Sequence, residues 1–306
     1  MVLTCSLCPR RCAAVRPGGF CGASPLPEAS AVCIHRGEEP VFVGNGRGMV
    51  NIFFAHCNLQ CIYCQNGAIS GHSVADDHIH YRGADAIADA VCRLLPQSAG
   101  TVGFVTAAHY ADRLHDIADA IHRRGFHPVY VYNSSGYESV EALRSLEGLV
   151  DVYLPDFKYM DPDLAALCSH APDYPEVAQR ALLEMKRQVG GGLKVDSDTG
   201  IAYRGMVVRH LVLPGAAQNT RLCLEWLADN FTPFSLHLAL MAQYFPPREG
   251  LPAPLDRRLT DDEYAAAADL FDSLGFAGWL QETSSQMCFR PDFSNPINPF
   301  GDETEA

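Results

Sequence analysis

From residue 84 onward the apolar positions of the chain alternate between two rhythms. Ile87, Val91 and Leu94 recur at helical spacing, a short apolar run occupies 101–105, Leu114, Ile117 and Ile121 make a second helical stripe, and 128–132 reads as a strand. The alternation continues with a helix at 138–146, a strand at 150–154 and a helix at 175–189 that carries proline in its first turn. Strands at 207–213 and 236–241 flank a helix at 218–230. Thr260 and Glu263 form a capping-box pattern ahead of a helix at 264–274, and a last apolar run covers 276–280. Repeated strand–helix units call for a parallel sheet in the α/β class. About six or more of them commonly curl into a full or partial barrel whose chemistry sits at the C-terminal strand ends.

Ahead of this body, 41–54 reads as two apolar runs around a glycine-rich turn, which predicts a hairpin. Gly44, Gly46 and Gly48 mark the turn rather than a phosphate loop, because no helix follows them. The polar residues just past the strands are the candidate rim: 106–109, 133–136, 155–158, Arg209 and His210 within their strand, and 243–244.

The stretch 56–66, HCNLQCIYCQN, follows the strand-like run 49–55 and sets Cys57, Cys61 and Cys64 at C-x3-C-x2-C spacing. The small and polar Asn58 and Gln60 let such a loop wrap, so that three thiolates converge on one metal centre. A 4Fe-4S cluster normally takes four thiolates, and three leave one iron open for a substrate or cofactor. The competing reading is zinc, which usually shows paired C-x2-C units. Upstream, Cys5, Cys8, Cys12 and Cys21 stand at C-x2-C-x3-C-x8-C, enough to close a second site for zinc or an iron-sulfur cluster, with Cys33 able to replace one ligand. Cys92, Cys168, Cys223 and Cys288 read as small buried hydrophobes.

Charge and cysteine usage narrow the setting. A net charge of -13 argues against a general binder of phosphate backbones, so no nucleic-acid partner is expected. The opening MVLTCSLCPRRC lacks the apolar segment of a signal peptide, and no run of 18 apolar residues occurs. With twelve cysteines at short spacings, this points to metal or redox chemistry in a reducing cytoplasm, away from membranes. His72, His78 and His80 with Asp76 and Asp77 read as a solvated loop, 196–200 as a turn, and the final GDETEA as a mobile acidic tail.

The loop CNLQCIYCQN, with Tyr63 just before its last cysteine, resembles the radical S-adenosylmethionine (SAM) superfamily. CSLCPRRC, GFVTAAH, YNSSGYE, VDVYLPDFKYMD, DYPEVA, RGMVVRHLVLPG and MAQY extend the likeness over nearly the whole chain. Within the superfamily it is similar to the pyruvate formate-lyase activating enzyme branch, and more closely to an uncharacterised subgroup that opens with a four-cysteine segment. The resemblance implies a partial (β/α)6-type TIM barrel at 41–285, a cysteine-rich segment at 1–40 and a C-terminal tail at 286–306. It also implies that SAM chelates the open iron of a 4Fe-4S cluster and is cleaved reductively to a 5′-deoxyadenosyl radical. Tyr63, Thr106, Asn133, Ser134, Asp156, Lys158 and Arg209 match the SAM site, Lys158 and Arg209 being suited to its carboxylate. Asn133 stands where the activating enzymes carry Asp, which removes one negative charge from their cation site; Ser134, Asp156 and the Leu154 carbonyl fall at its other positions. Thr106 to His109 replaces the superfamily's Gly-Gly-Glu segment, with His109 expected to face the substrate. The partners implied are an electron donor such as flavodoxin or ferredoxin, and a protein substrate if the chain makes a glycyl radical. Modification of a small molecule or peptide is the alternative, and a non-enzymatic electron-transfer or redox-sensing role the third.

Overall fold

The computed structural model describes residues 5–287 and 291–301; Cys288 and the acidic residues 302–306 lie outside the described residues. The chain begins with β1 (Glu28–His35), the single-turn α1 (Pro40–Val43), β2 (Met49–Phe54) and β3 (Tyr81–Arg82). Alternation then sets in with α2 (Ala84–Leu94), β4 (Thr101–Val105), α3 (Leu114–Arg123), β5 (Val129–Ser134), α4 (Val140–Ser145) and β6 (Val152–Pro155). It continues through α5 (Pro162–Ser169), α6 (Tyr174–Val189), the short β7 (Lys194–Val195), β8 (Ala202–Leu211) and α7 (Ala217–Asn230). β9 (His237–Met241), α8 (Asp261–Ser273) and β10 (Ala277–Leu280) complete it.

Strands β2, β4, β5, β6, β8, β9 and β10 lie side by side and parallel. Each apolar run expected as a parallel strand is one. The sheet ends on β10 at one side and on β3 at the other, so it stays open in the manner of a partial barrel. Alternation along the strands divides the core. Val131, Val152, Leu154, Val207 and Ala239 meet Met49 and Phe42 on the inner face, whereas Tyr130, Tyr132, Tyr153 and Val208 join Ile87, Ile117 and Ile121 in the larger cluster that includes α2 and α3. The expected capping box is present: Thr260 accepts from Glu263 N, and Glu263 reaches back to the cap.

The hairpin expected at 41–54 does not form. Pro40 starts a helical turn instead, Gly44 ends it in the left-handed region, and α1 drops the wholly buried Phe42 into the inner cluster. Burying that ring contributes about 2 kcal/mol. The antiparallel partner of β2 is β1, from a stretch that carries no motif and lies before residue 40. Its sequence, EASAVCIH, is buried almost throughout and so lacks the in–out alternation that announces a strand. Helix α5 also escapes the sequence reading. Asp161 caps it by accepting from Asp163 N and Leu164 N, but eight residues, PDLAALCS, are too few for a clear apolar stripe. At the far end, residues 291–301 fold back on the sheet. Phe293 packs edge-on to Phe53 at 5.5 Å and Phe300 stacks on His35 at 4.1 Å.

Candidate functional site

A pocket of about 490 Å³ opens at the C-terminal ends of the parallel strands. Cys57, Cys61 and Cys64 line it from one side, and Tyr63, Thr106, Asn133, Ser134, Asp156, Lys158 and Arg209 line the rest. Residues from five separate segments meet in one cavity, as the strand-end argument requires.

The cysteine loop leaves β2 through two tight bends, with His56 at φ +71° and Gln60 at φ +58°. Non-glycine residues hold such angles only when the surroundings over-determine them. Here Asn58 Nδ2 donates to Tyr137 O at 2.9 Å, Gln60 Nε2 to Phe20 O at 2.8 Å, and Ile62 N to Cys168 O at 2.8 Å. The thiols have donors of their own: Leu59 N lies 3.3 Å from Cys57 Sγ, and Ser169 Oγ 2.9 Å from Cys61 Sγ. Burial pushes the Cys57 thiol up to about 12 and Cys64 to about 11. A bound cation would reverse that, since thiolates are the metal-binding form. Among the described residues no group of three or more Cys, His, Asp or Glu stands closed as a metal cage. The fit therefore rests on the donor set and the room beside it: three thiols on one bent loop, facing a pocket far larger than one ion needs.

Lys158 reaches from β6 toward the loop and pairs with Asp156. Burial lowers its pKa, but the Asp156 carboxylate, with Cys61 and Cys64 nearby, outweighs burial and holds the ammonium charged. Tyr174 fixes the turn, receiving Lys158 N at 3.0 Å and donating to Ser135 O at 2.8 Å. Gly136 is required in that turn: at φ +78°, an added Cβ would lie 2.3 Å from Asp156 O. Thr106, at φ +58°, donates its backbone N–H to Asn133 O at 2.9 Å, tying two strand ends together. The Tyr63 hydroxyl is bonded to Tyr159, whose oxygen lies 2.8 Å from Ser169 Oγ, so a buried chain runs from Tyr63 to the Cys61 thiol.

Arg209 is engaged by residues absent from the sequence reading. Its Nε donates to Glu39 Oε1 and a terminal nitrogen to Glu39 Oε2, both at 2.7 Å, and Glu38 accepts from the same terminal nitrogen. Asn51 Nδ2 donates to Glu38 Oε1 at 2.8 Å. Burial pushes Glu38 up, yet Arg209 prevails and keeps it below the usual carboxylate value. With Glu38, Glu39, Asp156 and Glu282 set against Lys158 and Arg209, the carboxylates on the wall outnumber the basic side chains. Gln243, expected on the rim, is joined there by the unexpected Gln65 and Gln281 in a ladder of amides, with Gln243 Nε2 at 3.2 Å from Gln65 Oε1 and Gln281 Nε2 at 3.1 Å from Gln243 Oε1.

Some expectations fail. His109 does not face this pocket: a turn over Ala108–Arg113 buries its ring, Nε2 bonds Ala55 O at 2.7 Å, and the ring lines a second, small cavity. Cys5, Cys8, Cys12 and Cys21 line that same cavity, whereas Cys33 is buried in β1 beside Phe53 and is no substitute ligand there. Cys168 and Cys223 are fully buried and Cys92 partly so.

Ser134 lines the pocket but donates from Oγ to Glu138 Oε1 at 2.6 Å. Burial raises the Glu138 carboxyl to about 7, against the opposing pull of that hydrogen bond. Between the ordinary value of 4.5 and 7 the folded chain keeps a proton that the unfolded chain has released, so stability falls as pH rises through this window. The loss approaches ~3 kcal/mol. Urea midpoints at pH 4.5 and 8 should show it, and Glu138→Gln should flatten the difference. Equal pH dependence in both proteins would remove Glu138 as the cause.

No protein-family model matches the chain. An uncharacterized protein, MJ0674, of Methanocaldococcus jannaschii is 28% identical over 278 residues, covering 87% of this chain and 73% of that one. Among solved structures, a radical SAM methyltransferase from Sphaerobacter thermophilus superposes with a TM-score of 0.51 at 12% identity, over 76% of this chain and 66% of that one. Native anSMEcpe with bound AdoMet gives 0.50 at 12% identity, over 74% and 61%. The fold shared with these two structures is a partial barrel of parallel strands. This chain thus spans less than two thirds of the length of either of those structures. Among the described residues no helix is long and apolar enough to cross a membrane.

Proposed function

We propose that the chain is a radical SAM enzyme, with Cys57, Cys61 and Cys64 holding a 4Fe-4S cluster at the mouth of the main pocket. The observation that carries the reading is convergence: the three thiols and the strand-end residues matched to a SAM site line one cavity. SAM carries a sulfonium and an ammonium against a single carboxylate, and a wall richer in acids than bases suits such a cation. The cluster, when bound, supplies the electron that splits the sulfonium.

The protein's own residues supply position and seclusion. Lys158, held charged by Asp156, offers an ammonium for the SAM carboxylate. Thr106, Asn133 and Ser134 furnish hydroxyl, amide and backbone groups at adjoining strand ends. The Tyr63–Tyr159–Ser169 chain delivers a donor to the Cys61 sulfur, and donors to cluster thiolates tune potential. A cytoplasmic electron donor of the flavodoxin or ferredoxin kind would feed the cluster.

The substrate is read as a small molecule or short peptide. Residues 291–301, seated through Phe293 and Phe300, bring Pro291 and Phe300 to the pocket wall, as a covered site asks. An activase for a glycyl-radical enzyme is the competing reading and needs that segment to clear.

Anaerobically reconstituted protein should bind about four irons at this loop. With dithionite and SAM it should then yield 5′-deoxyadenosine and methionine, and SAM should perturb the electron paramagnetic resonance of the reduced cluster. A four-iron cluster whose spectrum ignores SAM, with no cleavage, would instead establish an electron-transfer or sensor protein.

A further inference from the structure

The N-terminal cysteines form a site of their own. Cys5, Cys8, Cys12 and Cys21 all border one enclosed cavity of about 10 Å³, walled also by Arg10, Arg11, Arg16 and His109. That is roughly the room of one water-sized sphere. That room suits a single ion better than a cube of four irons and four sulfides, and the ligands around it would have to draw in to close the cage. The segment is folded around this point: Cys5 N donates to Ala14 O at 2.8 Å, Ala13 N to Cys5 O at 3.0 Å, and Arg11 N to Cys8 O at 3.1 Å.

One of the sulfurs already has a donor: Phe20 N lies 3.2 Å from Cys12 Sγ. Such a donor stabilises a thiolate, and three guanidinium groups offset the charge that thiolates around a divalent ion would carry. The cavity wall also holds an unsatisfied nitrogen. His109 is 2% exposed, its Nε2 is spent on Ala55 O, and Nδ1 has no partner. A backbone carbonyl on one ring nitrogen, with the other left bare, is the usual way a histidine is set as a metal ligand.

We propose that this cavity holds one tetrahedral zinc ion, its ligands drawn from the thiolates of Cys5, Cys8, Cys12 and Cys21, with His109 Nδ1 as the other open donor on the wall. Zinc with a closed ligand set is structural, and the structure it holds is the catalytic loop. Arg10, inside the knot, donates from Nε to Asn58 O at 2.9 Å, from one terminal nitrogen to Ser169 O at 3.0 Å and from the other to His170 O. Phe20 O receives Gln60 Nε2 at 2.8 Å, and Leu7 O receives Ser139 Oγ at 2.7 Å. The ion thereby braces residues 57–64.

The test uses the whole chain with Cys57, Cys61 and Cys64 replaced together by Ala, so that the reading of the main pocket is absent from the metal count. Elemental analysis of this variant, produced with added zinc, is expected to find about one zinc per chain. Cobalt(II) exchanged into it should show thiolate-to-metal charge-transfer bands, and replacing Cys5 and Cys8 together by Ser in the same background, which leaves too few donors for a tetrahedral ion, should abolish both signals. Iron with labile sulfide in place of zinc would overturn the single-ion site in favour of a second cluster. A metal-free chain with native circular dichroism would overturn the site altogether. With the three loop cysteines intact, the same paired replacement should lower the iron retained after gel filtration severalfold, and unchanged retention would overturn the bracing.

Discussion

Cys61→Ala is expected to bring 5′-deoxyadenosine formation down to the level of the protein-free control while leaving the fold in place. With two thiolates, two irons of a cube would have no protein ligand, so the cluster as a whole should not be retained. The fold should survive because the side chain is only partly buried and what it accepts is a hydrogen bond from the Ser169 hydroxyl. Losing that contact costs about 0.5–1.5 kcal/mol, and zinc at the N-terminal cavity should be unaffected. Iron content, SAM turnover and the urea midpoint together check the claim. A folded variant with full turnover would take Cys61 out of the ligand set and the radical reading with it. The same loss in a variant that has also unfolded would say nothing of ligation, which is why Cys64→Ser should accompany it.

The chemistry of this chain is more legible in its sequence than its packing, and particular residues show why. Cys57, Cys61 and Cys64 announce themselves by spacing, and their strand-end companions Thr106, Asn133, Asp156 and Lys158 by following apolar runs, both of which are local signals. All of them line the same pocket. Glu38 and Glu39 are silent in the sequence because their place depends on β1 pairing with β2, a contact between segments with no periodic signature. Nearness to a strand end points His109 toward the pocket. The left-handed Thr106 and the turn after it carry the imidazole to the other side, and no propensity reports that change of direction. The four N-terminal cysteines are legible as a set. The small size of the cavity they enclose is a structural fact that the sequence does not carry, and it is what our zinc proposal rests on.

Arg209→Ala should cost about 3–5 kcal/mol of folding stability, because it leaves two carboxylates on the pocket wall without their cation. Glu38 would keep Asn51, at 2.8 Å, while Glu39 would lose both of its bonds to the guanidinium. The sign of the pH dependence separates this from simple loss of packing. In the native protein Arg209 holds Glu38 below its usual value, so the pair contributes stability above the unfolded carboxylate pKa and loses it as pH falls. In the variant burial is opposed by His35 and the Asn51 hydrogen bond without Arg209, so the carboxylate pKa rises from its native position and the stability gained on raising the pH shrinks. The deficit should therefore be largest near pH 8 and shrink toward pH 5. Arg209→Lys should lie between, since a single ammonium cannot serve both carboxylates with the planar fork. A deficit below about 1 kcal/mol that is also flat with pH would mean the three side chains form a solvent-screened pair. Arg209 would then be free to turn toward a bound carboxylate, which is the role its family resemblance assigns it and which its present partners oppose.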